Sequence, residues 1–359
     1  MGVGLHGLIG EVVRVAFLQH GLPPVGGCGN RRGGGGGGGG AAGGGGRRAP
    51  PANPFAGQAH RSVLVTGGTG FIGEALVGQL LDAGHRVTLL TRSPLRAAYQ
   101  FGGRVRCVTA LDQLHAHEHF DVVINLAGAP VLGPRWSAKR RATLLASRVG
   151  VTEALLRWVE GAAHRPALWI QASAIGYYGV RAPEERLDET SRPGSGFMSE
   201  LCRRWEAAAA PLDAWSIRKM VLRLGLVFGP GGALPLMLLP YRVGLGGRLG
   251  DGRQVMSWIH RDDVLRLIAE AMHRDAMRGV YNAVAPEAPS QAEFARTAGR
   301  VLRRPAWFRL PAAPLRRAAG EMAELLLDGQ HVVPARLQRE GFVFRFAGLE
   351  AALRDLVER

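Results

Sequence analysis

The sequence predicts an α/β protein, a doubly wound parallel sheet followed by a smaller C-terminal α+β substrate lobe. Two observations carry that prediction. Short apolar runs alternate with helix-period segments from residue 62 onward, and one such run meets a glycine cluster just where a helical pattern opens. In order, "VLVTGG" (63–68) reads as a buried strand, and 71–83 carries Phe71, Ile72, Ala75, Leu76, Leu80 and Ala83 at helical spacing. "RVTLLT" (86–91), "RVRCV" (104–108) and "DVVINLAG" (121–128) read as strands. A long helical stretch over 138–162 leads to the strand "ALWIQAS" (167–173), a helix over 197–210 and a buried strand "KMVLRLGLVFG" (219–229). Strands alternating with helices in this way need both sheet faces covered, hence a parallel sheet. Beyond 230, proline and glycine increase and the alternation becomes irregular.

The expected organisation is therefore a disordered Gly/Arg-rich extension over 1–60 and a nucleotide-binding domain over 61–230, completed by later strands. Substrate-lobe segments over 231–304 and a small terminal domain over 305–359 follow. Positions 33–46 are glycine apart from Ala41 and Ala42, and such a run buries nothing to offset its chain entropy. The arginine-bearing, acid-poor first twenty residues also admit a transit-peptide reading.

Composition narrows the function. The net charge is +16, yet only two of the 45 basic residues, Lys139 and Lys219, are lysines, and the arginines are scattered without aromatic interleaving. That pattern fits codon bias better than polynucleotide binding. The apolar stretch 221–247 is broken by Arg223, Pro230, Pro235, Pro240 and Arg242, so it cannot cross a bilayer as one helix. Three scattered cysteines suit a reducing compartment, the cytoplasm, and lack zinc spacing, so no metal is expected. The expected partner is a small molecule, with neither nucleic acid nor membrane; a homodimer is compatible with the sequence.

In "VLVTGGTGFIG", Gly68, Gly70 and Gly73 fit G-x-G-x-x-G at a strand-to-helix junction. Glycine there lets a pyrophosphate approach the backbone at the positive end of the helix. The second strand ends in Arg92 and Ser93 where an NAD site would carry a carboxylate, so a 2′-phosphate, and with it NADP(H), is the expected cofactor.

These residues resemble the extended short-chain dehydrogenases/reductases, through "TGGTGFIG" and "NLAG" (125–128). A finer resemblance is to an atypical branch of the NAD-dependent epimerase/dehydratase superfamily, the YfcH-like epimerase-family proteins. It rests on "NLAGAPVLGPRWS", "SAIGYYG", "FMSELCRRWEAAA", "GLGGRLGDGRQVMSWIHRDD" and "YNAVAPE", and on "GEMAELLLDGQHVVPARLQREGFVF", which resembles that branch's C-terminal domain of unknown function. The resemblance covers residues 62–359 and implies a Rossmann-like sheet holding NADP(H). By matching positions, Gly67, Thr69, Gly70, Phe71, Ile72 and Gly73 would line the pyrophosphate and Arg92 the 2′-phosphate. Leu126, Ala127 and Gly128 would lie near the adenosine or the central ribose, with Ser147 and Arg148 in reach of the cofactor.

The resemblance brings no reaction with it. Short-chain dehydrogenases pair a tyrosine with a lysine four residues on, but Arg135 stands four before Lys139 and Trp215 four before Lys219. Aligning Glu206 places Met198 and Cys202 where that pair belongs, and neither can do its work. The candidate catalytic residues are therefore Ser173, Tyr177 and Tyr178, with pocket-lining preferred to proton transfer for the tyrosines. Gly176 and Gly179 make the stretch a turn, so Arg181 is not set on one face with Tyr177. Trp258 and His260 are candidate substrate residues, each with a core role as its alternative. Asp262 or Asp263 is expected to cap a helix starting near Val264, and Arg248 and Arg253 are candidate contacts for an anionic substrate. The functional expectation is an NADP(H)-dependent oxidoreductase or epimerase of atypical mechanism, acting on a small polar or nucleotide-linked carbonyl or sugar. Its alternative is a non-catalytic NADP(H)-binding regulatory protein.

Overall fold

The computed structural model describes residues 52–133 and 135–358. The expectations for 1–51, including the glycine run and the transit-peptide reading, lie outside the described residues. The elements bearing on the site are β1 (Ser62–Thr66), α1 (Phe71–Asp82), β2 (Arg86–Leu90), α2 (Pro94–Gln100), β3 (Arg106–Val108), β4 (Val122–Asn125), α3 (Ala138–Leu145), α4 (Val151–Gly161), β5 (Leu168–Ala174), β6 (Arg186–Leu187), α5 (Phe197–Ala208), α6 (Pro211–Ala214) and β7 (Arg218–Leu224). After these come β8 (Leu226–Phe228), α7 (Leu234–Arg242), β9 (Gly247–Leu249), β10 (Trp258–His260), α8 (Arg261–His273), β11 (Gly279–Ala283) and α9 (Gln291–Leu302). The chain closes with β12 (Phe308–Leu310), α10 (Ala312–Ala319), α11 (Glu324–Leu327), β13 (His331–Val332), α12 (Ala335–Arg339) and α13 (Leu349–Glu358).

Seven strands form one sheet in the order β11-β7-β5-β4-β1-β2-β3, every neighbouring pair parallel. Side chains alternate across it, so each β5 residue belongs to one layer or the other. Leu168 and Ile170 join the layer under α1 and α8, whereas Trp169 joins the one under α4. The expected Rossmann-like sheet is thus present. One of its edge strands, β11, returns from the C-terminal part of the chain and pairs with β7.

Three expectations need correction. The run 219–229 is two strands, because the backbone changes partners at its middle: Gly225 N donates to Ala283 O, and Leu226 N to Ser257 O. β8 accordingly leaves the main sheet to pair with β10. The helical stretch 138–162 is interrupted by a π turn, Ala146–Gly150. The extension boundary at 60 also moves, since Phe55 is fully buried in the layer with α1 and α8, Asn53 Nδ2 donates to Gln79 O and Gln58 Nε2 to Ala269 O.

The lobe has its own core, in which Phe228, Leu238, Tyr241, Trp258, Phe294 and Leu353 pack between α7, α9 and α13. No helix among the described residues is long and apolar enough to cross a membrane.

Candidate functional site

The carboxyl ends of β1 and β4 meet at the glycine turn. Gly67 takes φ +68°, in the left-handed region, and a Cβ there would fall 2.5 Å from Leu126 O. A Cβ on Gly73 would fall 2.2 Å from Gly67 O, so the first turn of α1 is pressed against the loop that precedes it. Gly70 stands at the helix N-cap without a side-chain hydrogen bond, which leaves the first amides of α1 uncapped by protein side chains. Together these make a concave backbone surface with positive polarity, suited to a phosphate and closed to any residue with a side chain. The Phe71 ring is surrounded by Gly229, Gly231 and Gly232, with Arg261 over one face.

A buried polar network fixes the neighbouring strand ends. Thr66 Oγ1 donates to Asn125 Oδ1 at 2.6 Å and accepts from Ala127 N; Asn125 Nδ2 donates to Thr152 Oγ1 and to Gln171 Oε1. This network holds the strip Leu126–Ala127–Gly128 beside the turn. At the next strand over, Arg92 follows β2 on the surface, with no carboxylate at ion-pair distance among the described residues. Arg148 is buried behind Gly128 and donates to Ala129 O and Leu144 O. The residues expected at the cofactor lie along this edge in order: Arg92 after β2, then Gly67, Thr69, Gly70, Phe71, Ile72 and Gly73 after β1, and Leu126, Ala127 and Gly128 after β4, with Arg148 of the π turn against Gly128. The donor set fits a phosphorylated dinucleotide: an open helix start, two glycines that admit no Cβ, and two guanidinium groups outside any ion pair.

The candidate catalytic residues come together, though not as free hydroxyls. Ser173 is 2 % exposed and donates its only proton to Glu206 Oε1 at 2.6 Å. Glu206 is gripped in turn by Arg223, Nε to Oε1 at 2.9 Å and Nη2 to Oε2 at 2.8 Å. Arg223 Nη1 reaches the Tyr178 hydroxyl at 2.9 Å, and that hydroxyl also meets Asn282 Oδ1 at 2.7 Å and Asp188 O at 2.9 Å. Burial pushes the Tyr178 phenol up to about 12 despite the cation beside it. Tyr177 lies with its ring centroid 3.4 Å from the Arg223 guanidinium carbon. In the sequence Glu206 serves only as a landmark, nothing marks Asn282, and Arg223 reads only as a break in an apolar stretch; the signal for its role is a cation deep inside β7, away from the strand's half-buried start.

The positions of the missing tyrosine–lysine pair are filled as the sequence indicated. Met198 and Cys202 face Gly176, and burial drives the Cys202 thiol up to about 12, so it stays neutral. Arg181 braces the turn instead, donating to Tyr178 O and pairing with Glu185.

The two candidate substrate residues are corrected to core residues. Trp258 and His260 are both fully buried. Trp258 stacks on Phe228 at 5.4 Å, and the His260 ring packs 4.0 Å from that of Phe346. His260 rather than an aspartate caps α8, its Nδ1 accepting from Asp262 N. Asp263 instead accepts from Arg345 N and Phe346 N, tying the terminal segment to α8. Arg253 pairs on the surface with Glu184, and Arg248 packs against Gly252. Among the described residues no three His, Cys, Asp or Glu side chains converge as metal ligands. A groove of about 450 Å³ opens elsewhere, at the β11 edge between Asp188–Thr190 and α12. It stands four strands from β1, and its carboxylates are already bonded: Glu189 accepts from Asn282 N and Arg336 N, and Glu340 from Arg336 and Tyr281.

Comparison with known proteins adds to this geometry. Residues 63–283 match the model of the NAD dependent epimerase/dehydratase family, and residues 310–356 match a domain of unknown function, DUF1731. Mouse epimerase family protein SDR39U1 is 41% identical over 300 residues, covering 82% of this chain and 99% of the relative. Epimerase family protein YfhF of Bacillus subtilis is 35% identical over 300 residues, covering 82% and 98%. The crystal structure of human SDR39U1 (isoform 2) with NADPH superposes with a TM-score of 0.75 at 38% identity, covering 83% of this chain and 99% of that one.

Proposed function

This chain belongs to the NAD dependent epimerase/dehydratase family, and on that premise we propose that it binds NADP(H) across the ends of β2, β1 and β4. The pyrophosphate rests on turn 67–70 and the open start of α1, the 2′-phosphate meets Arg92, and the strip 126–128 with Arg148 behind it lines the nicotinamide half. The observation that carries this reading is the glycine cradle, in which Gly67 and Gly73 admit no Cβ and the helix N-cap offers no side chain. The NADPH in the crystal structure of human SDR39U1 supports it.

The geometry favours a bound cofactor that is sensed over one that is turned over. NADP(H) supplies hydride chemistry wherever a substrate and a proton donor meet it. Here the Tyr178 hydroxyl is buried and bonded to Asn282 and to Asp188 O, the Ser173 proton is committed to Glu206, Cys202 is a buried neutral thiol, and Met198 carries no titratable proton. These observations support a non-catalytic NADP(H)-binding regulatory protein. One observation favours the second reading, an oxidoreductase or epimerase acting on a small polar or nucleotide-linked carbonyl or sugar. The Ser173 hydroxyl and Glu206 carboxylate, 2.6 Å apart, form a couple across which a proton can pass.

Two measurements test this. Fluorescence titration with NADPH and NADH should show NADPH binding the tighter; preference for NADH, or no binding, sinks the Arg92 assignment. Incubating the NADPH-loaded protein with a panel of carbonyl compounds and nucleotide sugars should leave its absorbance unchanged. Turnover that falls in Glu206→Gln would establish the enzyme instead.

A further inference from the structure

Arg148 projects from the π turn 146–150 into the space between the end of β4 and α5, and it is 8 % exposed. Its guanidinium donates only to neutral acceptors: Ala129 O at 3.0 Å, Leu144 O at 3.3 Å and Ser147 Oγ at 3.4 Å. It lies against Gly128, where a Cβ would sit 3.0 Å from its Cζ, and stands 5.1 Å from the Trp205 ring. Among the described residues no carboxylate is at ion-pair distance from it. The neighbouring groups do not compensate it either. Arg140 adds the same sign, the Cys202 thiol is neutral, and Glu206, one turn from Cys202, is matched by Arg223. Burial holds Arg148 below the usual arginine range, yet a guanidinium remains charged near neutral pH. A buried cation without a counter-ion is costly to a fold and selects what binds beside it.

The sheet order says what that is. From Arg92 at the end of β2, the strand ends run through the glycine turn of β1 to β4 and β5. A dinucleotide with its 2′-phosphate at Arg92 and its pyrophosphate at the turn therefore has its nicotinamide half on the Arg148 side. The oxidised nicotinamide ring carries a positive charge; the reduced ring is neutral, and the two forms are otherwise closely alike. Resting on the NADP(H) reading above, the geometry points to Arg148 as a charge discriminator that makes the site selective for NADPH over NADP+. The repulsion falls on the oxidised form alone, in a site whose effective dielectric lies well below that of water. One unit charge opposing another there is worth on the order of tenfold in affinity. Occupancy would then follow the reduced fraction of the pool, the property a regulatory protein of this kind requires.

The test is calorimetric titration of the full chain with NADPH and with NADP+, for the wild type, Arg148→Met and Arg148→Lys. The wild type should bind NADPH about tenfold more tightly or better, Arg148→Lys should keep that ratio, and Arg148→Met should bring it to within about twofold. Equal wild-type affinities overturn the inference while leaving the cofactor reading intact, and this comparison needs no variant to fold. An unchanged ratio in Arg148→Met overturns it as well. Binding of neither form overturns the cofactor reading and this inference with it.

Discussion

Arg223 is the residue on which the buried polar cluster depends. Its side chain is 4 % exposed and that of Glu206 13 %, so the pair is screened little by water. The arginine joins Glu206, Tyr178 and Tyr177, three groups from a helix and a turn that β7 alone would not bring together. Replacing it with methionine leaves the Glu206 carboxylate buried and unmatched, which costs roughly 3–5 kcal/mol. Urea denaturation of Arg223→Met should show a loss of that size. A loss below about 1 kcal/mol would mean that water reaches Glu206 and that the cluster is not what fixes the turn. Tyr178→Phe removes one hydroxyl shared by Arg223 and Asn282, and should cost about 1–3 kcal/mol by the same measurement. At the glycine turn the direction is set by space alone. Gly73→Ala places a Cβ 2.2 Å from a backbone oxygen that cannot swing aside, so NADPH titration should show affinity lost by tenfold or more, with the loop displaced.

At the scale of elements, what the sequence shows best is the cofactor half. "VLVTGG" and the helix after it were legible because a parallel strand is apolar throughout and the glycines mark where its apolar partner helix begins. The break at Gly225 was not legible, since β7 and β8 share one apolar run and only the partners of Gly225 and Leu226 separate them. The capping of α8 was misread for a related reason: Asp262 and Asp263 look like caps, but the helix opens earlier, at Arg261, and His260 takes the role. At α9 the cap is a reciprocal one. Glu293 N donates to Ser290 Oγ, while Ser290 N and its hydroxyl donate to the Glu293 carboxylate. Those bonds, the backbone one foremost, hold the Glu293 carboxyl below its ordinary value of 4.5. A depressed carboxyl stabilises the fold in full above its unfolded value and loses that contribution as pH falls through the folded one. Ser290→Ala should therefore lower stability by about 1 kcal/mol at pH 7. Its deficit should shrink as pH drops below 4.5, followed as melting temperature against pH. Ser290→Ala keeps the backbone bond to Glu293, so a deficit constant across that range would show that the hydroxyl-to-carboxylate bond contributes nothing to the cap.

For the molecule as a whole, the sequence separates globular chain from glycine-rich extension at about residue 60, and the fold sets that division earlier. Residues 53–60 carry no period and follow a proline-rich stretch, so nothing local marks them as structured. Their role is visible only in three dimensions, where the segment crosses the layer formed by α1 and α8. Phe55 enters that layer fully buried and meets the His85 ring edge-on at 6.2 Å, while Asn53 and Gln58 bond to carbonyls of α1 and α8. The two helices approach each other on that face of the sheet and belong to distant parts of the sequence, α1 opening the cofactor turn and α8 leading to the returning strand β11. A short segment bonded to both closes the core between them, and truncating its aromatic ring opens a cavity that neither helix can fill without shifting. Phe55→Ala should therefore cost about 3–5 kcal/mol in urea denaturation, the amount expected for a fully buried phenylalanine. Because α1 carries the cradle at its other end, saturating NADPH should recover part of the loss in melting temperature by mass action, about 2.7 kcal/mol at a hundredfold excess over Kd. A Phe55→Ala protein as stable as the wild type would return residues 53–60 to the extension.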